Sequence, residues 1–325
     1  MSTMTMVEAI NATLASEMQR DERVILLGQD IGTLGGVFRA TSGLQARFGA
    51  DRVVDMPLAE GAIVGSALGL ALGGMVPVAE IQFLGFAHQA FHQLGPQLGR
   101  YRFRSRGRFN AQVTIRTTAG GGIRGPEFHS DSIESELTHQ PGVKVVCPSN
   151  PYDAKGLLLE AIRDPDPVLF IEPQRLYRLG AADVPDEDFT IPFGQSTLVR
   201  EGADLVLIAW SAAVEMSIRA AEQLQNEGIS AAVLDLRTLV PLDVDGLVAA
   251  VKASGKAMVV HEAALTSGFG AEIVATLQND AYAMLDGPVL RVGAWDTPYP
   301  PASLEKWYLP SVDRIVRAAR YLAHF

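Results

Sequence analysis

Apolar residues along this chain fall alternately into helical and strand-like periods. Residues 5–20 carry them at the i, i+3, i+4 spacing of a helix, and the run RVILLG at 23–28 follows as a strand. A short helix over 38–48, a strand over 52–57, a helix from Glu60 and the strand VPVAEIQF at 76–83 continue the series. The next helix meets Gly95 and Pro96, a pair expected to kink or stop it, because proline has no amide proton and its ring clashes with the preceding turn. Strands AQVTIRT (111–117), VKVVCPS (143–149) and PVLFIEP (167–173) come after it, with a helix from Asn150 that has Pro151 in its first turn. Alternation of this kind predicts a parallel sheet covered by helices.

The stretch GAADVPDEDFTIP at 180–192 has four acids, two prolines and no period, which marks a linker. Beyond it ADLVLIAWS, a long helix to Glu227, AAVLDLRT, a helix from Asp243, KAMVVHEAA, a helix over 268–284 and VLRVGAW repeat the alternation, and a last helix lies in 311–325. The expected fold class is α/β with two doubly wound domains, residues 1–183 and 198–325, joined by a linker over 184–197.

One residue stands against the pattern. The helix after Glu60 is apolar on one face, with Ile63, Val64, Ala67, Leu68, Ala71 and Leu72, and uncharged on the other, with Gly65, Ser66, Gly69 and Leu70. Such a helix is expected to be buried on all sides. An acid in a first helical turn ordinarily offsets the helix dipole and caps free amides. Here the flanks are apolar in both directions, so Glu60 is expected inside the protein, where a carboxylate must be paired, protonated or set against a ligand nitrogen.

The loop AGGGIRGPEFHSDSIE at 119–134 has glycines that would let backbone approach a phosphate, but no GK[ST] follows, which excludes a P-loop. Within it His129, ahead of a helix expected from Asp131 or Ser132, reads equally as a surface residue and as a proton-transfer group. His88 and His92 have the i, i+4 spacing of a helical metal pair, yet no HExxH glutamate stands between them, and a metal there is not expected. QLGRYRFRSRGRF at 97–109 is the one basic cluster, read as serving a subunit contact or the substrate side.

Composition narrows the function class. Its 325 residues suffice for two cores, and 48% hydrophobic with 20% charged residues excludes disorder as the default. A net charge of −10 argues against nucleic acid as a partner and suits a basic protein. The single cysteine, Cys147, excludes an intrachain disulfide and fits a reducing compartment. With no signal-peptide pattern, and with the apolar helix 61–72 too short to span a bilayer, a cytoplasmic protein without membrane contact is expected.

Two readings remain at this point: a ligand- or nucleotide-binding α/β protein whose Glu60 caps a helix, and an enzyme using a buried carboxylate against a nitrogen heterocycle. Walker and Rossmann fingerprints are missing, as is the GDG motif that, with a later asparagine, holds Mg²⁺ and diphosphate in thiamine enzymes. The runs GGVFRATSGLQARFG, PLAEGAIVGSALGLAL, EIQF, YRFRS, HSDSIE, PYDAKGLLLEAIRDPDPVLFIEP, LYR, VLDLRTLVPLD and DTPYP then decide between them. In that order, from about residue 5 to the end, the chain resembles the beta subunit of the heterotetrameric E1 component of 2-oxo acid dehydrogenase complexes.

The resemblance implies a transketolase-like fold, a pyrimidine-binding domain followed by a transketolase C-terminal domain. It implies thiamine diphosphate as cofactor, with an E1 alpha subunit supplying the diphosphate and Mg²⁺ half in an α₂β₂ assembly. The implied reaction is oxidative decarboxylation of a 2-oxo acid with acyl transfer to the lipoyl group of E2, whose subunit-binding domain would dock on the C-terminal domain, Phe325 included. It assigns Glu60 to the N1′ atom of the aminopyrimidine, Leu58, Gln82 and Phe86 to the pyrimidine pocket, and His129 to proton transfer during acyl transfer. It further implies a potassium site from Val113, Ala161, Asp164 and Asp166, for which a plain helix-end turn is the alternative. EIQFLGF and HSDSIE resemble pyruvate-type enzymes, whereas FIEP-x-x-LYR and HEAALTSGFGAEI resemble branched-chain ones; an acetoin-cleaving relative shares the architecture.

Overall fold

The computed structural model describes the whole chain, Met1–Phe325. Its first half runs β1 (Ser2–Met4), α1 (Met6–Arg20), β2 (Val24–Gly28), α2 (Leu44–Phe48), β3 (Val53–Asp55), α3 (Glu60–Leu72) and β4 (Val76–Phe83). It continues with α4 (Arg100–Arg104), β5 (Thr114–Ala119), α5 (Glu134–Thr138), β6 (Lys144–Val146), α6 (Pro151–Arg163), β7 (Val168–Pro173) and β8 (Ala182–Val184). The second half runs β9 (Thr197–Arg200), β10 (Leu205–Ala209), α7 (Ala212–Gln225), β11 (Ala231–Asp235), β12 (Thr238–Val240) and α8 (Val244–Ser254). It ends with β13 (Ala257–Ala264), α9 (Gly270–Asp280), β14 (Leu290–Ala294), α10 (Glu305–Tyr308) and α11 (Val312–Ala323).

Strands β5, β7 and β10 are buried at every position, as expected of parallel strands covered on both faces. The first sheet has the order β12-β6-β7-β5-β4-β2-β3 and the second β14-β13-β10-β11-β9, so both domains are doubly wound α/β units. Within these two sheets all pairings are parallel except those of the edge strands β12 and β9, and β1 pairs antiparallel with β8 in a separate two-stranded sheet. β12 comes from the second half of the chain yet closes the edge of the first sheet on β6. One apolar core joins the two sheets, with Ile115, Val145 and Ile171 of the first and Val206, Ile208 and Val259 of the second in a single cluster. Opposite it, α1 and α6 cover the first sheet, and Arg163 reaches Glu17 at 2.5 Å between them.

Several local expectations hold for visible reasons. Asn150 caps α6 by accepting the Asp153 amide at 2.9 Å, and Asp243 caps α8 by accepting that of Gly246 at 3.0 Å. Others are corrected. The helix expected over 38–48 shortens to α2, because Arg39 and Gly43 have φ of 71° and 78° and cannot be helical. Helix α3 is not buried on all sides: Ile63, Val64 and Ala67 pack inward, while Ala62, Gly65, Ser66 and Gly69 form an exposed, uncharged stripe.

Pro96 does not stop its helix. The chain passes through a 3₁₀ segment, Leu84–Ala90, then wide π turns over Gln93–Gly99 that accommodate the missing amide, and runs on into α4. This segment lies against the turn at 140–143, where a side chain on Gly95 would strike Gln140 and one on Gly99 would come within 2.9 Å of the Pro141 carbonyl. The helix expected from Asp131 or Ser132 starts at Glu134, and a 3₁₀ turn, Glu127–His129, precedes it. No helix is long and apolar enough to cross a membrane.

Candidate active site

The first sheet reverses its winding at β2: the chain goes to β3 on one side and to β4 on the other. Ligands in open α/β sheets bind beyond the carboxyl ends of strands at such a switch point. Glu60 follows β3, Gln82 and Phe83 end β4, and His129 lies in the loop after β5, so the topology gathers the candidates at one edge.

There a cleft of about 550 Å³ is lined by Leu58, Glu60, Gly61, Gly85, Phe86, His88 and Phe128, among others. Glu60 is 6% exposed, at the first position of α3, and its carboxylate takes no hydrogen bond or ion pair from its own chain. Its carboxylate opens onto the cleft, where it is free to meet a partner outside the chain. Leu58 and Phe128, 71% and 56% exposed, form the lips.

His129 does not line the cleft but is fixed next to it. Its ring meets Phe83 edge-on at 4.5 Å and Phe86 at 5.0 Å, and those two phenylalanines meet at 5.4 Å. The His129 Nδ1 atom is buried and has no hydrogen-bond partner. Leu58, Glu60, Phe86 and His129 thus come together through one cleft and one aromatic cluster. Gln82 is not among the residues lining the cleft, and its amide donates to Asp30 Oδ2 at 3.2 Å. The glycines of the His129 loop do not cradle an anion. Side chains on Gly120, Gly121 and Gly122 would collide with Glu262, Tyr299 and Arg175, and Gly120 and Gly122 have φ of +84° and +92°, so this backbone is glycine because the second half packs onto it.

His88 and His92 each have a partner of their own. His88 lies between the Gly85 carbonyl at 3.1 Å and Glu136 at 3.0 Å, His92 faces Gln97, and no cluster of metal-binding side chains exists. The carboxylates of the candidate potassium site are engaged as well. Asp164 receives Lys144 Nζ at 2.5 Å, Asp166 pairs with Arg102 Nε at 2.7 Å, and the Val113 carbonyl accepts the Val168 amide at 3.0 Å. Ala161 is buried inside α6. Two cations of the chain thus pair with the acids of this set. A larger groove, about 690 Å³ between α5 and the second domain, contains none of the candidate residues.

Residues 2–180 match the family described as transketolase, pyrimidine binding domain, and residues 194–315 match transketolase, C-terminal domain. Over 325 residues, 100% of both chains, the sequence is 49% identical to the pyruvate dehydrogenase E1 component subunit beta of Bacillus subtilis. It is 47% identical to the subunit of that name from Staphylococcus aureus, again over 100% of both chains. The chain belongs to the E1 beta-subunit family. A solved structure titled split gene transketolase, inactive beta4 tetramer, aligns with a TM-score of 0.80 over 99% of each chain, and at 24% identity that likeness shows the fold.

An E1 beta chain's candidate site also rests on residues that sequence reasoning missed. Arg116, on the central strand β5, is buried and joins Glu172 of β7 at 2.8 Å and Glu80 of β4 at 2.8 Å; Glu172 also accepts the Tyr177 hydroxyl. Tyr177 meets Phe38 edge-on at 5.5 Å, and Phe38 meets Phe83 at 5.7 Å, so the ion cluster is linked by rings to the His129 contact. The available signal was a single charged residue in each of three strands that neighbour one another, Glu80 in VPVAEIQF, Arg116 in TIRTTA and Glu172 in VLFIEP.

Behind the loop, burial pushes the Glu134 carboxyl up to about 7, although the Trp210 indole donates to it at 3.3 Å. Asp235 is likewise raised to about 7 by burial, against a hydrogen bond from Ser149.

Proposed function

We propose that this chain is the beta half of a thiamine diphosphate-dependent pyruvate dehydrogenase E1, active only with an alpha subunit. The observation that supports this most is Glu60, buried without a partner in its own chain at the mouth of α3, in a sequence 49% identical over its full length to a pyruvate dehydrogenase E1 beta subunit. Thiamine diphosphate, when bound, supplies the electron sink that decarboxylation of a 2-oxo acid requires.

The residues present fit that cofactor's pyrimidine. Glu60 offers its unpaired carboxylate to a ring nitrogen and controls the proton there, since an acceptor in a desolvated site holds a donor more strongly than in water. Leu58 and Phe86 provide the apolar walls, and the lip residue Phe128 restricts water. His129, set beside Phe86, would supply the proton taken up by the leaving sulfur when the lipoyl disulfide opens and its other sulfur receives the acyl group. Neither a phosphate-binding loop nor an Mg²⁺ ligand set accompanies this half-site, which supports a second chain that supplies both.

The alpha chain has a surface ready for it. The stripe of Ala62, Gly65, Ser66 and Gly69 on α3 begins at the cleft, and exposed positions without charge suit contact with another protein. For E2, the proposed contact is the second domain near the chain end, where Phe325 is 54% exposed beside Tyr321. Deleting Phe325 alone tests it, since Ile315, Val316, Ala319 and Leu322 make the rest of α11 part of the core. Unchanged affinity for the E2 subunit-binding domain rejects that contact. A cytoplasmic setting accords with one free, buried thiol, Cys147.

Substrate choice is tested by assembling the chain with the alpha chain encoded beside it, adding thiamine diphosphate and Mg²⁺, and comparing pyruvate with 3-methyl-2-oxobutanoate. The proposal predicts a kcat/KM for pyruvate at least about ten-fold higher, a difference of roughly 1.4 kcal/mol in transition-state stabilisation. The reverse preference would assign the chain to the branched-chain type.

A further inference from the structure

The loop that presents His129 is tied down from the second domain. Glu305, the first residue of α10, accepts the Gly122 amide on Oε1 at 3.0 Å, and the same oxygen accepts the Tyr299 hydroxyl at 2.5 Å. Tyr299 is buried and stands so close over Gly121 that any side chain there would strike its hydroxyl. Burial first, and then the bond to Glu305, raise the Tyr299 phenol, so it remains a donor to that carboxylate. Next to it, Arg175 pairs with Glu262 at 3.3 Å, and these two side chains fill the space that side chains on Gly122 and Gly120 would take. Gln174 completes the frame by donating to the carbonyls of Gly120 and His129, the latter at 2.9 Å.

A segment with glycine at 120, 121, 122 and 125 has little conformational preference of its own. Holding His129 against Phe83 and Phe86 therefore needs outside restraint, and the Glu305 carboxylate of the second domain is hydrogen-bonded to both the loop backbone and a side chain packed on it. We propose that Glu305, acting with Tyr299, is a positioning residue that fixes the His129 loop and so governs acyl transfer without touching the reacting atoms. This inference rests on the function proposed above for His129.

Two measurements on Glu305→Ala, Glu305→Gln and Tyr299→Phe test it. The first is amide hydrogen exchange on the full chain. In Glu305→Ala, amides over 120–131 should exchange about ten-fold faster or more, while those of β2 and β4 keep their protection. Glu305→Gln retains an acceptor oxygen and should lie close to wild type. The second uses the assembly with the alpha chain and separates the two half-reactions. Acylation of a lipoyl domain should fall about ten-fold or more in Glu305→Ala, with decarboxylation coupled to an artificial electron acceptor staying within about three-fold. Tyr299→Phe should show the same split to a smaller degree. Unchanged exchange over 120–131, or an equal fall in both half-reactions, overturns the proposal. If the wild-type assembly decarboxylates no 2-oxo acid, the functional reading has failed instead, and the exchange measurement by itself decides whether Glu305 holds the loop.

Discussion

Arg116 shows how much of this site depends on one side chain that does no chemistry. Its guanidinium lies between Glu172 and Glu80 with no access to water, so removing it strands the buried Glu172 carboxylate and leaves the half-buried Glu80 without its partner. Arg116→Met is expected to cost about 3–5 kcal/mol in chemical denaturation, the usual result of breaking a buried ion pair from one side. Glu134 makes a prediction with a sign. Its folded proton affinity is raised to about 7 against 4.5 for the free side chain, so the folded chain keeps a proton that the unfolded chain releases. That stability is present in full below about 4.5 and is lost as pH rises toward 7. Glu134→Gln, which cannot ionise, should lose less Tm between pH 5 and pH 8 than wild type; an identical loss in both proteins would contradict the assignment. The burial of Glu60 as a residue was legible because apolar neighbours flank it on both sides. The Phe83–Phe86–His129 contact was not, because two loops far apart in sequence create it.

The long strands and amphipathic helices are legible because each places a full apolar period in a core, while three of the short strands are not. β1, β8 and β12 have three residues each, too few for any period, and exist because a neighbouring strand offers hydrogen bonds. Helix α3 misled in an instructive way. Its composition states that both faces avoid charge, and only the fold reveals that one of them has no cover within this chain. The π segment around Pro96 carries its own test. Gly99 approaches the Pro141 carbonyl and Val143 so closely that a methyl group would come within 2.9 Å of each, and Gly99→Ala is expected to destabilise the chain by about 1–3 kcal/mol in urea titration.

Taken as a whole, the molecule is two doubly wound sheets sharing one core, stapled by β12 and by Arg237, which pairs with Asp153 of α6 at 2.8 Å. The two-domain architecture and the family could be read from sequence because their motifs run in order along the whole chain. The cross-domain frame around His129 could not, since Glu262, Tyr299 and Glu305 look like ordinary polar residues until the domains are packed. Mixed with its alpha chain, the protein is expected to elute as one assembly containing two copies of each chain, and separate elution of the two would count against the completed half-site. The central claim is that Glu60 is a proton-controlling group and not a helix cap, and decarboxylation of pyruvate by that assembly with thiamine diphosphate and Mg²⁺, wild type against Glu60→Gln, tests it most directly. The account predicts a loss of about 100-fold or more in kcat with the assembly intact, the scale of positioned proton transfer. Full activity in Glu60→Gln would contradict it.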